Sequence, residues 1–98
     1  MEDKKAPDAI VEYRLTGHAV TEMVRRRISE QVVAQVLAAP EQIKLVRPGR
    51  YVYQACIDVG EPTKSYLVRV FVDVDRRPPD VVTVYRTSKI GKYWGDNQ

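Results

Sequence analysis

YLVRVFVDVDRRPPDVVTVYRT, residues 66–87, decides the fold class. Tyr66, Val68, Val70, Val72 and Val74 alternate with Leu67, Arg69, Phe71 and Asp73. Both faces of that strand carry apolar residues, so it belongs in the interior of a sheet. The two prolines of DRRPPD have no amide to donate to a ladder, which makes the segment a turn. Beyond it, Val81 to Thr87 alternates again, with Thr83, Tyr85 and Thr87 on one face and Val82 and Val84 on the other. Val82 and Val84 are expected to pack under the helices, leaving the hydroxylated face free.

Working back from this hairpin, the period of two extends through IKLV, bounded by Pro48 and Gly49, and through Tyr51 to Val59, which the turn segment GEPTK closes. Before Pro40 the period is helical. Thr16 is an N-cap for a helix running from about Gly17 to Arg27, with Ala19, Val20, Met23 and Val24 at helical spacing. Ser29 caps a second helix whose face holds Val32, Val33, Val36 and Leu37 and which Pro40 stops. Ile10 to Leu15 alternates like a short strand. The expected fold is α+β, with two N-terminal helices packed on one face of a four-stranded antiparallel meander whose other face is open to solvent or ligand.

A chain of 98 residues supports one hydrophobic core, so residues 10–94 are read as a single domain, residues 1–9 as a disordered tail and residues 95–98 as a C-terminal tail. No apolar run approaches the roughly 18 residues needed to span a bilayer, and no apolar segment follows MEDKK as in a signal peptide, so a cytoplasmic protein with no membrane partner is expected. Cys56 has no second cysteine to pair with and is expected to be buried and structural. One histidine and one distant cysteine make no ligand set, so no metal and no cofactor are expected.

The net charge of +3 permits RNA binding, and its distribution says more. Arg25, Arg26 and Arg27 are consecutive, Arg76 and Arg77 form a pair, and Arg86 to Lys92 holds three cations and no acid. These clusters read either as solvated faces or as a polyanion surface. His18 is the sole histidine and lies in the first turn of helix one, where the positive helix end disfavours imidazolium and leaves a neutral base. Its plain alternative is a helix-capping or hydrogen-bonding role. Thr83, Tyr85 and Thr87, bordered by Arg69, Arg86 and Lys89, offer hydroxyls and guanidinium to phosphate oxygens and a ring to a base. The same residues are also ordinary strand formers.

Leu15 to Trp94 resembles the small bacterial family called domain of unknown function 4258. The resemblance rests on His18 and Ala19 opening helix one, Met23 and Arg25 within it, the Arg-x-Ile-Ser link from Arg26 to Ser29, Pro40, and the closing Thr-Val-Tyr and Lys-Tyr-Trp. It implies a fold similar to RelE and ParE-like toxins and to the barnase, EndoU, colicin and RelE group of metal-independent ribonucleases. It also implies a toxin-like hydrolase of a toxin-antitoxin system that cleaves RNA by attack of the ribose 2′-hydroxyl. His18, Arg69, Tyr85 and Lys89 would be catalytic, and Arg25, Thr83, Arg86 and Thr87 would hold substrate. The expected partners are RNA, an antitoxin protein and a second copy of the chain. Two readings from other classes stand beside it, a non-catalytic RNA- or protein-binding module and a ParE-like topoisomerase inhibitor.

Overall fold

The computed structural model describes residues 8–94, so residues 1–7 of the tail expected over 1–9, and the tail expected at 95–98, lie outside the described residues, while Asp8 accepts a hydrogen bond from Tyr53 through its carbonyl. Eight elements follow one another: β1 (Arg14–Leu15), α1 (Gly17–Arg25), α2 (Glu30–Ala38), β2 (Gln42–Arg47), β3 (Arg50–Val59), β4 (Lys64–Asp73), β5 (Asp80–Thr87) and α3 (Ile90–Trp94). The sheet order is β1-β5-β4-β3-β2. β2 to β5 form an antiparallel meander, and β1 adds to β5 in parallel through Arg14 opposite Asp80 and Leu15 opposite Val81.

The expected architecture is therefore corrected. The fold is α+β, but it has three helices and a five-stranded mixed sheet in place of two helices on a four-stranded antiparallel one. Two features account for the difference. Arg14 and Leu15 pair with a strand some 66 residues away in sequence, held by the Arg14 amide on the Pro79 carbonyl and the Arg14 side chain on Asp80. The short α3 folds over the face that was expected to stay open.

Both long helices start where a hydroxyl satisfies an orphan amide. Thr16 Oγ1 accepts from the Ala19 amide at 3.1 Å, and Ser29 Oγ accepts from the Val32 amide at 3.2 Å. The Thr16 amide also donates to Val81 O, so β1 passes directly into α1 and the helix packs along β5. At the end of α1 the Ile28 amide donates to Met23 O and the Arg27 amide to Val24 O. This double closure requires a left-handed residue, and Arg27 supplies it with φ of 57°.

The core lies between the helices and one face of the sheet. Ala19, Met23, Val33, Val36 and Leu37 meet Tyr53, Ala55, Val68, Val70, Val72, Val81 and Val84. Each large apolar side chain buried there contributes about 1.5–3 kcal/mol. In β5 the simple alternation breaks, because Phe71 faces Thr83 while Val72 faces Val81, which leaves Val82 in a bulge. Val81, not Val82, joins Val84 in the core. In β3 the odd positions point inward, so Cys56 is exposed, contrary to the expected burial. Among the described residues no helix is long and apolar enough to cross a membrane.

Candidate functional site

The face of the sheet turned away from this core carries Gln42 and Lys44 on β2, Val52 and Gln54 on β3, Leu67, Arg69 and Phe71 on β4, and Thr83, Tyr85 and Thr87 on β5. Opposite pairs in the ladder, Gln54 with Arg69 and Arg69 with Tyr85, put three polar groups in one row. Cross-strand neighbours have Cβ atoms about 5 Å apart, so long side chains in such a row meet.

Arg69 is the centre of the row. Its Nε donates to Gln54 Oε1 at 2.7 Å and its Nη1 to the Tyr85 hydroxyl at 2.7 Å. Gln54 is 0% exposed and passes its own amide to Gln42 Oε1 at 2.7 Å and to Tyr93 O at 3.3 Å. Three rings surround the guanidinium, with centroids 4.6 Å (Tyr93), 5.4 Å (Phe71) and 5.7 Å (Tyr85) from its carbon. Tyr85 stacks on Phe71 and meets Tyr93 edge-on. A guanidinium offers five N–H donors. Two carry the bonds just described, and the rest of the fork is available to an anion at a half-exposed position.

α3 is fastened over this row from its C-terminal end. Lys44 Nζ donates to Tyr93 O at 2.9 Å and to Trp94 O at 3.4 Å, which places a cation on the carbonyls that a helix end leaves unpaired. The helix brings Tyr93 onto Arg69.

α1 borders the same row from beyond β5. Glu22, 8% exposed, accepts from Arg26 Nε at 2.8 Å and from Arg25 Nη1 at 2.9 Å. The hydrogen bond from Arg26, helped by Arg25, holds the Glu22 carboxyl below the usual carboxylate range. Arg26 also lies 5.8 Å from the Tyr85 centroid, so this one arginine of the run at the end of α1 reaches the sheet row. His18 is exposed and stands one helical turn before Glu22 on the same stripe of α1. Its imidazole makes no hydrogen bond among the described residues.

Of the residues singled out by sequence, Arg69 and Tyr85 are joined directly, and Thr83 and Thr87 share their face. Thr87 Oγ1 accepts from the Lys89 amide, which puts Lys89 at the start of α3 on the rim of the row. Arg25 is at the α1 border, paired with Glu22. Arg86 is not part of the row: it stands on the other face, 4.5 Å from the Tyr66 centroid. Arg76 approaches Asp80 at 3.8 Å, away from the row. Sequence reading passed over Gln54, Tyr93, Glu22 and Lys44 as site residues, and named Arg26 only as one of a basic run. Gln54 carried a signal, since a polar residue between apolar positions of a central strand must find a buried partner. Glu22 also carried one, as the acid placed three and four residues before two arginines.

Among the described residues no group of three or more His, Cys, Asp or Glu side chains is arranged to hold a metal ion. A family model described as Domain of unknown function (DUF4258) matches residues 15–86. No curated protein and no solved structure matches the chain.

Proposed function

The chain belongs to the family described as domain of unknown function (DUF4258), and on that premise we propose that it is a toxin-like, metal-independent endoribonuclease that engages RNA along the seam between α1 and β5. One observation carries this reading: a guanidinium held rigidly on a central strand by Gln54 and Tyr85 and ringed by aromatic side chains, with the Arg25–Arg26 pair beside it. Fixed cations receive phosphate, and open ring faces stack on bases without sequence preference.

In this mechanism the remaining N–H groups of Arg69 stabilise charge on the phosphorane, and Tyr85 orients the RNA or protonates the leaving oxygen. His18 takes the proton of the 2′-hydroxyl as base. His18 lies two turns, about 12 Å along α1, from the Arg26 that touches Tyr85, and in this reading the RNA backbone runs along the helix between them. Lys89, Thr83 and Thr87 line the path of the backbone. Deoxyribose lacks the nucleophile, so DNA is not cleaved. Kinship with the RelE group of toxins, a toxin-antitoxin setting and an antitoxin partner belong to the same proposal.

A second reading is favoured by the seat of Tyr93 on Arg69: the face serves as a non-catalytic module holding RNA, an antitoxin segment or another copy of the chain. His18→Ala separates the two. The enzyme loses cleavage while RNA affinity, measured by fluorescence anisotropy, changes little; a binding module shows no cleavage to lose.

A further inference from the structure

On the opposite face of the sheet, where the turn between α1 and α2 meets the ends of β3, β4 and β5, there is a cavity of about 200 Å³. Its floor is apolar, formed by Val32, Ile57 and Val68, and Arg27, Arg86 and Tyr66 also line it. No carboxylate is among its lining residues, and neither Arg27 nor Arg86 has a carboxylate partner among the described residues.

Both arginines depart from what their positions favour. Arg86 lies on the core-facing side of β5, two residues after the fully buried Val84 and opposite Val68, where the pattern of the strand asks for an apolar residue. Its guanidinium rests 4.5 Å from the Tyr66 centroid, with its hydrogen-bonding edge unpaired. Arg27 occupies the left-handed position that closes α1, with φ of 57°, where glycine is the relaxed choice. A side chain kept at a strained position is better explained by what it binds than by the turn it closes.

We propose that this cavity binds a small carboxylate with a branched or aryl apolar tail, independently of the RNA-cleavage reading. The tail rests on Val32, Ile57 and Val68, and Arg86 and Arg27 receive the carboxylate, whose two oxygens match the guanidinium fork. At the roughly 30 Å³ that a water takes up in the liquid, the volume admits about six non-hydrogen groups, enough for a branched or aryl tail with the carboxylate at the mouth beside the arginines. A free acid and the C-terminal leucine of a polypeptide share this chemistry.

Titration of the isotope-labelled full chain, followed by amide NMR, tests it with three probes: 4-methylpentanoate, 4-methylpentanamide and the peptide acetyl-Ala-Ala-Leu. Expected are saturable shifts of Val32 and Val68 with an acid, weaker by about tenfold or more for the uncharged amide. Arg86→Gln is expected to cost about tenfold in affinity for the acid. Arg27→Gly raises the melting temperature by a few degrees while weakening the acid, a split that a purely structural role for Arg27 does not produce. Tighter binding of the peptide assigns the site to a polypeptide C-terminus, and tighter binding of the free acid assigns it to a small metabolite. The proposal is overturned by no saturable shift up to about 10 mM, by equal affinity for acid and amide, or by unchanged affinity in both variants.

Discussion

Arg69 Nη1 donates to the Tyr85 hydroxyl at 2.7 Å across adjacent strands, and the same guanidinium donates to the buried Gln54, so one side chain ties β3, β4 and β5 together on the face opposite the core. Removing it leaves a carboxamide oxygen and a phenol without their donor. Arg69→Ala therefore costs about 2 kcal/mol, and Tyr85→Phe, which keeps every ring contact, about 1 kcal/mol. Urea unfolding followed by circular dichroism measures both. Equal stability of Arg69→Ala and the unaltered chain contradicts the network.

Acid weakens the protein partly through Glu22. Its carboxyl is held low by Arg26 and Arg25, so as pH falls the unfolded chain takes up the proton first. The stabilisation is complete above the unfolded value of about 4.3 and is lost as pH drops through the lower folded value. Asp73, held low by the hydrogen bond from Arg50, acts in the same direction. Glu22→Gln should flatten the decline of the urea midpoint between about pH 5 and pH 3, and adding Asp73→Asn should flatten it further.

At the alkaline end the buried phenol of Tyr53 contributes. Burial pushes its phenol up to about 12, and its hydroxyl donates to Asp8 O at 2.7 Å. The neutral form is favoured in the folded state, so stability is full below about pH 10 and declines as pH rises towards the folded value. Tyr53→Phe should lose about 1 kcal/mol at pH 7 through the missing hydrogen bond and show a shallower alkaline decline. An unchanged alkaline limb would remove Tyr53 from this account.

Trp94 is the sole tryptophan and sits at the end of α3. Because Lys44 holds the Tyr93 and Trp94 carbonyls, Lys44→Met should free the end of the helix, giving a red shift and stronger acrylamide quenching of Trp94 fluorescence. The core lies on the other face, so the global urea midpoint should fall by no more than about 1 kcal/mol equivalent. A Trp94 signal identical to that of the unaltered chain contradicts the fastening of α3.

How far the sequence carried the fold depended on range. Thr16, Ser29 and Pro40 mark helix ends through contacts within three or four residues, and the helices lie between them. The meander follows from period-two runs separated by short turns. One of those turns needs Gly49, whose φ of 87° suits glycine and where a Cβ would come within 2.8 Å of Asp75 Oδ2. Of the Ile10 to Leu15 stretch read as a short strand only Arg14 and Leu15 form one, and their parallel pairing with β5 is non-local, which alternation does not specify. The bulge at Val82 moved Val81 into the core, a shift that alternation cannot register. α3 has five residues and owes its place to Lys44 and Gln54, distant in sequence, so the face read as open is partly covered.

The candidate site divides in the same way. Arg69, Tyr85, Thr83 and Thr87 were legible because strand alternation fixes their face, and registry then brought Arg69 to Tyr85. Arg86 follows the same alternation onto the other face. Tyr93 and Arg26 join through helix placement, which neither periodicity nor composition contains.

The most direct test of RNA cleavage is to incubate the purified chain, His18→Ala and Arg69→Ala with end-labelled RNA and with its all-deoxy counterpart in EDTA, and to analyse the product ends. The account predicts cleavage of RNA alone by the unaltered chain, 2′,3′-cyclic phosphate ends, and loss of activity in both variants with His18→Ala still folded and binding RNA. Cleavage of the deoxy strand, undiminished cleavage by His18→Ala, or no cleavage of free RNA or of RNA on translating ribosomes would contradict it.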